Sequence, residues 1–171
     1  MRTMLSISLA LIVSASPARA QDAPAGGFHR FHAAALIGES HEGERNGITF
    51  GADLEVRLAR RVGVGITGEH VNEPFRENVW VAPLVIHPSH GLRIMVGPGV
   101  ERAARDEAPH GFEQHLLLRG GIGYDFALRH GWTLDPDVAV DFVDGQRVLV
   151  YAVAIGKEFG AHHHAGAGAD K

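Results

Sequence analysis

"GITFGADLEVRLARRVGVGITGEH", residues 47–70, alternates apolar residues with polar or tiny ones, breaks once at Arg60-Arg61, and then resumes. A period of two interrupted by a tight break reads as two strands joined by a turn. Ile48, Phe50, Ala52, Leu54, Val56 and Leu58 share one face, and Thr49, Gly51, Asp53, Glu55 and Arg57 share the other. The alternation alone does not say which face is inside. An oily interior makes a soluble barrel with a ligand cavity; an oily exterior makes a barrel that stands in a membrane.

The same rhythm continues along the chain. From Phe28 there are eight extended segments, roughly 28–38, 47–58, 62–71, 78–86, 91–101, 114–127, 132–143 and 147–159, and none has a 3.6-residue period. Turn-like separators stand between them: "ESHEGERN", "RR", "NEPFRE", "HPSHG", "RAARDEAPHGFE", "RHG" and "DGQ". Short strands at this spacing predict a sandwich or a barrel. Before them lie an apolar run from about Met4 to Val13 and the small-residue site Ala18-Arg19-Ala20, the form of a cleavable signal over residues 1–20. The predicted organisation is that signal, a short lead over 21–27, a β-barrel domain over 28–159, and a disordered His/Gly/Ala tail over 160–171.

Composition narrows the partners. Formal charge is −4, and removing Arg2 and Arg19 with the signal leaves 14 basic against 20 acidic residues, which argues against nucleic acid. With no cysteine in an exported chain, a disulfide framework is excluded and stability must come from the sheet and its packing.

Glycine placement separates the two barrels. Gly51, Gly63, Gly65, Gly97, Gly99, Gly121, Gly123 and Gly156 take the polar parity, with Ala139, Ala152 and Ala154 beside them. Water crowds nothing, whereas the interior of an eight-stranded barrel is barely wide enough for side chains. Small residues among Asp, Glu and Arg therefore predict a polar inside and an oily outside. The order of connections, long and short in near alternation, agrees with longer loops on one side and short turns on the periplasmic side. Aromatics fall into two girdles: Phe50, Phe142 and Tyr151 toward the outer rim, and Phe28, Tyr124, Phe126, Trp132 and Phe159 toward the inner one. The expected fold is an all-β, eight-stranded, antiparallel up-and-down transmembrane barrel. A soluble periplasmic lipocalin-like ligand-binding barrel is the alternative. Pro83, Pro98 and Pro136 fall inside predicted strands and are expected to mark bulges or strand ends that lie a few residues away. "VWVAPLVIH" is apolar on both faces, which leaves its register open.

"GLRIMVGPGVE" (91–101), "LLLRGGIGYDF" (116–126), "TLDPDVAVDFVDG" (133–145) and the final "VLVYAVAIGKEF" resemble the small, porin-like bacterial outer-membrane β-barrel proteins of the OmpA/OmpX type. The resemblance implies an outer-membrane location, outer-membrane lipid and the barrel-insertion machinery as partners, and Phe159 as the aromatic read by that machinery. It implies no activity.

The polar parity supplies a predicted lumen network: Asp53, Glu55, Arg57, Glu69, Arg93, Arg119, Asp125, Asp137 and Asp141. Mixed charges in a narrow bore are expected to pair and plug it. The expected role is structural or surface-interacting, toward an unknown extracellular or periplasmic ligand, without enzymatic activity. A third reading is a lipid A-modifying hydrolase, since His87, Ser89 and Glu101 are similar to the His-x-Ser and downstream Glu of barrel deacylases. No metal site or cofactor is expected: "DPDVAVDFVDG" lacks the ligand spacing of a calcium loop, and His162 to His164 read as part of the tail.

Overall fold

The computed structural model describes residues 29–104 and 112–161. The predicted signal, the lead, Phe28 and the tail from His162 onward lie outside the described residues. Ten strand segments occur: β1 (His29–Glu42), β2 (Arg45–Ala59), β3 (Val62–Val71), β4 (Glu77–Val81), β5 (Leu84–Ile86), β6 (Leu92–Ala104), β7 (Phe112–Tyr124), β8 (Phe126–Ala127), β9 (Trp132–Val143) and β10 (Gln146–Ala161). They make eight staves, because β4 with β5, and β7 with β8, each continue one another along the same neighbours. Every stave is antiparallel to the next, and β10 pairs with both β9 and β1. The sheet is closed and has no free edge, as a membrane-spanning sheet must be.

We call the end that carries His29 and Ala161 the lower end. Along each strand burial alternates as pleating requires. On β2, Thr49 and Glu55 are buried while Ile48, Phe50, Leu54 and Leu58 are exposed. On β10, Val148, Val150, Ala152 and Ala154 are buried while Tyr151, Val153, Ile155 and Phe159 are exposed. The bulky oily face points outward on every stave, which overturns the lipocalin-like alternative, where that face would line a cavity. Among the described residues 28 large apolar side chains are exposed, far more than a water-soluble surface tolerates. The outward residues run uncharged from Ile48 to Leu58 on β2, Leu92 to Val100 on β6, and Trp132 to Phe142 on β9. Each run has the ~9–11 residues that a tilted strand needs to cross a hydrocarbon layer. This is a transmembrane β-barrel.

Inside, the small residues make room. A Cβ on Gly51 would meet Gly68 O at 2.2 Å, one on Gly63 would meet the Glu55 carboxylate at 2.3 Å, and one on Gly156 would meet the His32 ring at 2.2 Å. Gly120, which faces outward, has nothing within 4 Å of such an atom.

Two expectations are corrected and one open register is resolved. "ESHEGERN" is no long loop: Glu42 pairs with Arg45 and only Gly43 and Glu44 turn the chain, with Gly43 at φ 58°. Strands β1 and β2 simply continue above the apolar band. The prolines make no bulges, although Pro83 does fall at a strand end. Register is unbroken through Pro98 opposite Leu118 and Pro136 opposite Val153, and the one shift lies between Arg57 and Ala59. Pro83 sits in the gap between β4 and β5, where its carbonyl still accepts from Gly65 N–H at 2.9 Å, and Ala82 N–H reaches Pro98 O at 2.9 Å. Each proline forgoes one donor while its carbonyl or its neighbours keep the wall joined. The 78–86 stretch then takes a definite parity: Val79, Val81, Pro83, Val85 and His87 are buried, and Trp80, Leu84 and Ile86 are exposed.

Candidate functional site: the barrel lumen

The lumen is built from side chains that strands far apart in sequence aim at one axis. Arg119 on β7 is 4% exposed and is held on both sides. Its Nε and one terminal nitrogen donate to Asp141 on β9, each at 2.6 Å, and its terminal nitrogens donate to Glu69 on β3 at 2.5 and 2.7 Å. Two forked pairs on one guanidinium use all the geometry Arg offers, and that geometry is what lets a charge persist in a closed interior.

Lower in the barrel Arg93, 3% exposed, lies 2.8 Å from Asp125, 3.5 Å from Asp53 and 3.9 Å from Asp137. The Asp125 approach is close but off the N–H axis, so it is an ion pair more than an aligned hydrogen bond. Thr67 donates to the other Asp53 oxygen at 2.8 Å. Nearer the lower mouth Arg57 stands 3.4 Å from Glu55, 3.5 Å from Glu158 and 3.6 Å from Asp125. Thus Asp53, Glu55, Arg57, Glu69, Arg93, Arg119, Asp125, Asp137 and Asp141 all lie inside, in clusters around the three arginines, of which those of Arg57 and Arg93 share Asp125.

Sequence parity missed several members. His87 Nε2–H donates to Glu55 Oε1 at 2.8 Å, both groups being buried. His32 Nε2 lies 3.0 Å from Thr133 Oγ1, which donates to Asp135 at 2.8 Å, so the histidine is the donor to Thr133. His32 and Asp135 are also 3.3 Å apart. Parity placed Asp135 and Thr133 inward, but nothing in the sequence couples them to a residue about a hundred positions earlier.

The upper lumen has a different chemistry. Phe75, from the segment joining β3 to β4, is buried in a cluster with Val71, Val79, Val81, Leu117 and Val143. Its ring occupies space left by Gly47, where a Cβ would come within 2.6 Å of Phe75 Cδ2. Arg45 holds the segment from outside: its guanidinium stands 4.6 Å above the Phe75 ring and donates to Pro74 O at 3.1 Å. The result is an apolar stopper above a charged mesh.

The hydrolase candidates do not converge. His87 is spent on Glu55 and its backbone N–H bonds Arg61 O at the lower end, while Ser89 is exposed in the β5–β6 turn. Glu101 sits opposite Val79 and His115, near the upper end. The carboxylate is therefore far from the other two, because Glu101 lies toward the opposite end of the barrel from His87 and Ser89, and His87 is already held by Glu55.

The described rim aromatics Phe50, Tyr124, Phe126, Trp132, Phe142, Tyr151 and Phe159 all face outward and are exposed. Phe31, Trp80 and Phe112 join them. Among the described residues no group of three or more His, Asp or Glu is arranged to hold a metal ion.

No family model and no curated protein matches the sequence. Solved structures match the fold. The N-terminal β-barrel domain of Pseudomonas aeruginosa OprF superposes with TM-score 0.62 at 13% identity over 78% of this chain and 100% of that one. Neisserial surface protein A gives TM-score 0.53 at 11% identity over 75% of this chain and 96% of its own. A de novo designed transmembrane β-barrel gives TM-score 0.50 at 11% identity over 75% and 93%. The fold is that of the eight-stranded barrels of bacterial outer membranes.

Proposed function

We infer that the chain is a closed, non-conducting barrel of a bacterial outer membrane, acting as a structural or surface-interaction protein without enzymatic activity. The observation that carries this reading is the double closure of the bore, by Phe75 and its valines above and by the arginine-centred mesh below. A water-filled pore of this width would need several of those pairs to open together, each leaving a charge without a partner. The signal at residues 1–20 supports export, and the outward aromatic rims support insertion into the outer membrane by the barrel-insertion machinery. On this reading the termini are periplasmic, and the β1–β2, β3–β4, β6–β7 and β9–β10 connections meet the exterior, where an extracellular ligand would bind. The position of Glu101, toward the opposite end of the barrel from His87 and Ser89, supports the non-enzymatic role.

Planar-bilayer recording tests the reading. The purified barrel is expected to show no stable open-channel current. Sustained unitary currents in the parent chain would overturn the plug.

A further inference from the structure

One row of the outer wall departs from the apolar rule. The register places Phe50 opposite His70, His70 opposite Asn78, Asn78 opposite Arg102, and Arg102 opposite Gln114, in one line across five staves near the upper end. All have the outward parity. The row immediately below, Ala52, Gly68, Trp80, Val100 and Leu116, contains no polar side chain. A polar line bordering an apolar band, with Trp80 directly beneath Asn78, marks the depth where hydrocarbon gives way to headgroups.

The row is organised for an anion. The His70 ring lies 5.2 Å from that of Phe50, and its Nδ1 bonds Asn78 Oδ1 at 3.0 Å, which turns the Asn78 amide hydrogens free of that bond. Arg102 is seated over Phe112, 5.7 Å from the ring centroid, and is exposed. Arg76, also exposed, stands two residues above Asn78 and holds φ 54°, a left-handed conformation uncommon for a side chain of its size. Among the described residues neither guanidinium forms an ion pair, whereas Arg57, Arg93 and Arg119 inside are each shared by two or more carboxylates. Two guanidiniums with no ion pair among the described residues and an amide donor, at the upper border of a wall that touches lipid, complement a phosphate carried by a lipid.

We propose that this row, His70, Asn78 and Arg102 with Arg76 above it, is a binding site for the phosphate headgroup of an anionic membrane lipid. The proposal rests on the transmembrane reading, and the test separates the two. Trp132→Phe leaves Trp80 as the sole tryptophan, directly under the site. Refolded into phosphatidylcholine vesicles, this chain is titrated with dibrominated phosphatidic acid or dibrominated phosphatidylcholine, and quenching of Trp80 reports which lipid occupies the adjacent wall. A preference of about fivefold for the phosphatidic acid is expected, falling to about one in Arg102→Gln and largely kept in Arg102→Lys. Heat-modifiable migration verifies that each variant is folded. Equal quenching by the two lipids in the parent chain, or an unchanged preference in Arg102→Gln, overturns the site. Inorganic phosphate, compared with chloride at equal ionic strength, is expected to leave the preference intact; its loss would mean a soluble anion site and overturn the lipid assignment. Absence of quenching by either lipid would overturn the transmembrane reading itself, and the site with it.

Discussion

The two halves of the lumen are filled differently. Below, Arg57, Arg93 and Arg119 are each shared among carboxylates from several strands. Above, Phe75 packs with four valines and Leu117. Buried charges are costly unless every partner is in place, so the mesh is specific and brittle. Apolar packing is forgiving of direction but not of volume, so the stopper depends on shape. One barrel thus shows how a narrow interior can be filled either by pairing or by packing.

Variants break this comparison unequally. The largest effect is expected from Arg119→Ala, which strands Glu69 and Asp141 inside the wall and should cost about 3–5 kcal/mol in urea refolding titrations. Replacing all three residues by apolar ones of similar volume should recover most of that loss; failure to recover would show that the mesh does more than satisfy itself. Next comes Phe75→Ala, about 3 kcal/mol from lost burial and the void left behind. In planar bilayers it should remain non-conducting, because the mesh below still closes the bore. Conduction by Phe75→Ala alone would show that the stopper, and not the mesh, is the seal.

Smaller changes sharpen the contrast. Gly47→Ala presses on the Phe75 ring and Gly63→Ala on the Glu55 carboxylate, and each should cost about 1–3 kcal/mol by overpacking. The second should also detach His87 from Glu55, visible as a changed imidazole resonance, while the first leaves that resonance alone. Least of all, His115→Gln removes a partly exposed partner of Asp144 at the upper mouth and should change stability by about 0.5 kcal/mol or less.

Much of this was legible in the sequence, for a reason visible on β2 and β3. Gly51 and Gly63 take the parity of Asp53, Glu55 and Arg57, and only an interior gives small residues and charges a common cause. The closed fold and the inward charges followed from that. What was not legible depended on distance or on mixed signals. His32 and Asp135 meet only because β10 joins β1 to β9 in a closed sheet. The segment "VWVAPLVIH" looked apolar on both faces because its inner face lines the stopper, through Val79 and Val81, while its outer face meets lipid. Phe75 was hidden in "NEPFRE", a segment whose polar composition reads as a surface turn. The outward row was hidden too, since His70, Asn78 and Arg102 come into line only through pairing across strands.

The inversion of inside and outside can be read one residue at a time, because the chain contains no cysteine to interfere. Single cysteines at successive positions of β9 from Thr133 to Val143, spin-labelled in lipid vesicles, report exposure to dissolved oxygen in the hydrocarbon. Labels at Leu134, Val138, Val140 and Phe142 are expected to collide strongly with oxygen, and those at Thr133, Asp135, Asp137, Ala139 and Asp141 weakly. A flat profile, or one with the two sets exchanged, would contradict the polar-inside, oily-outside barrel.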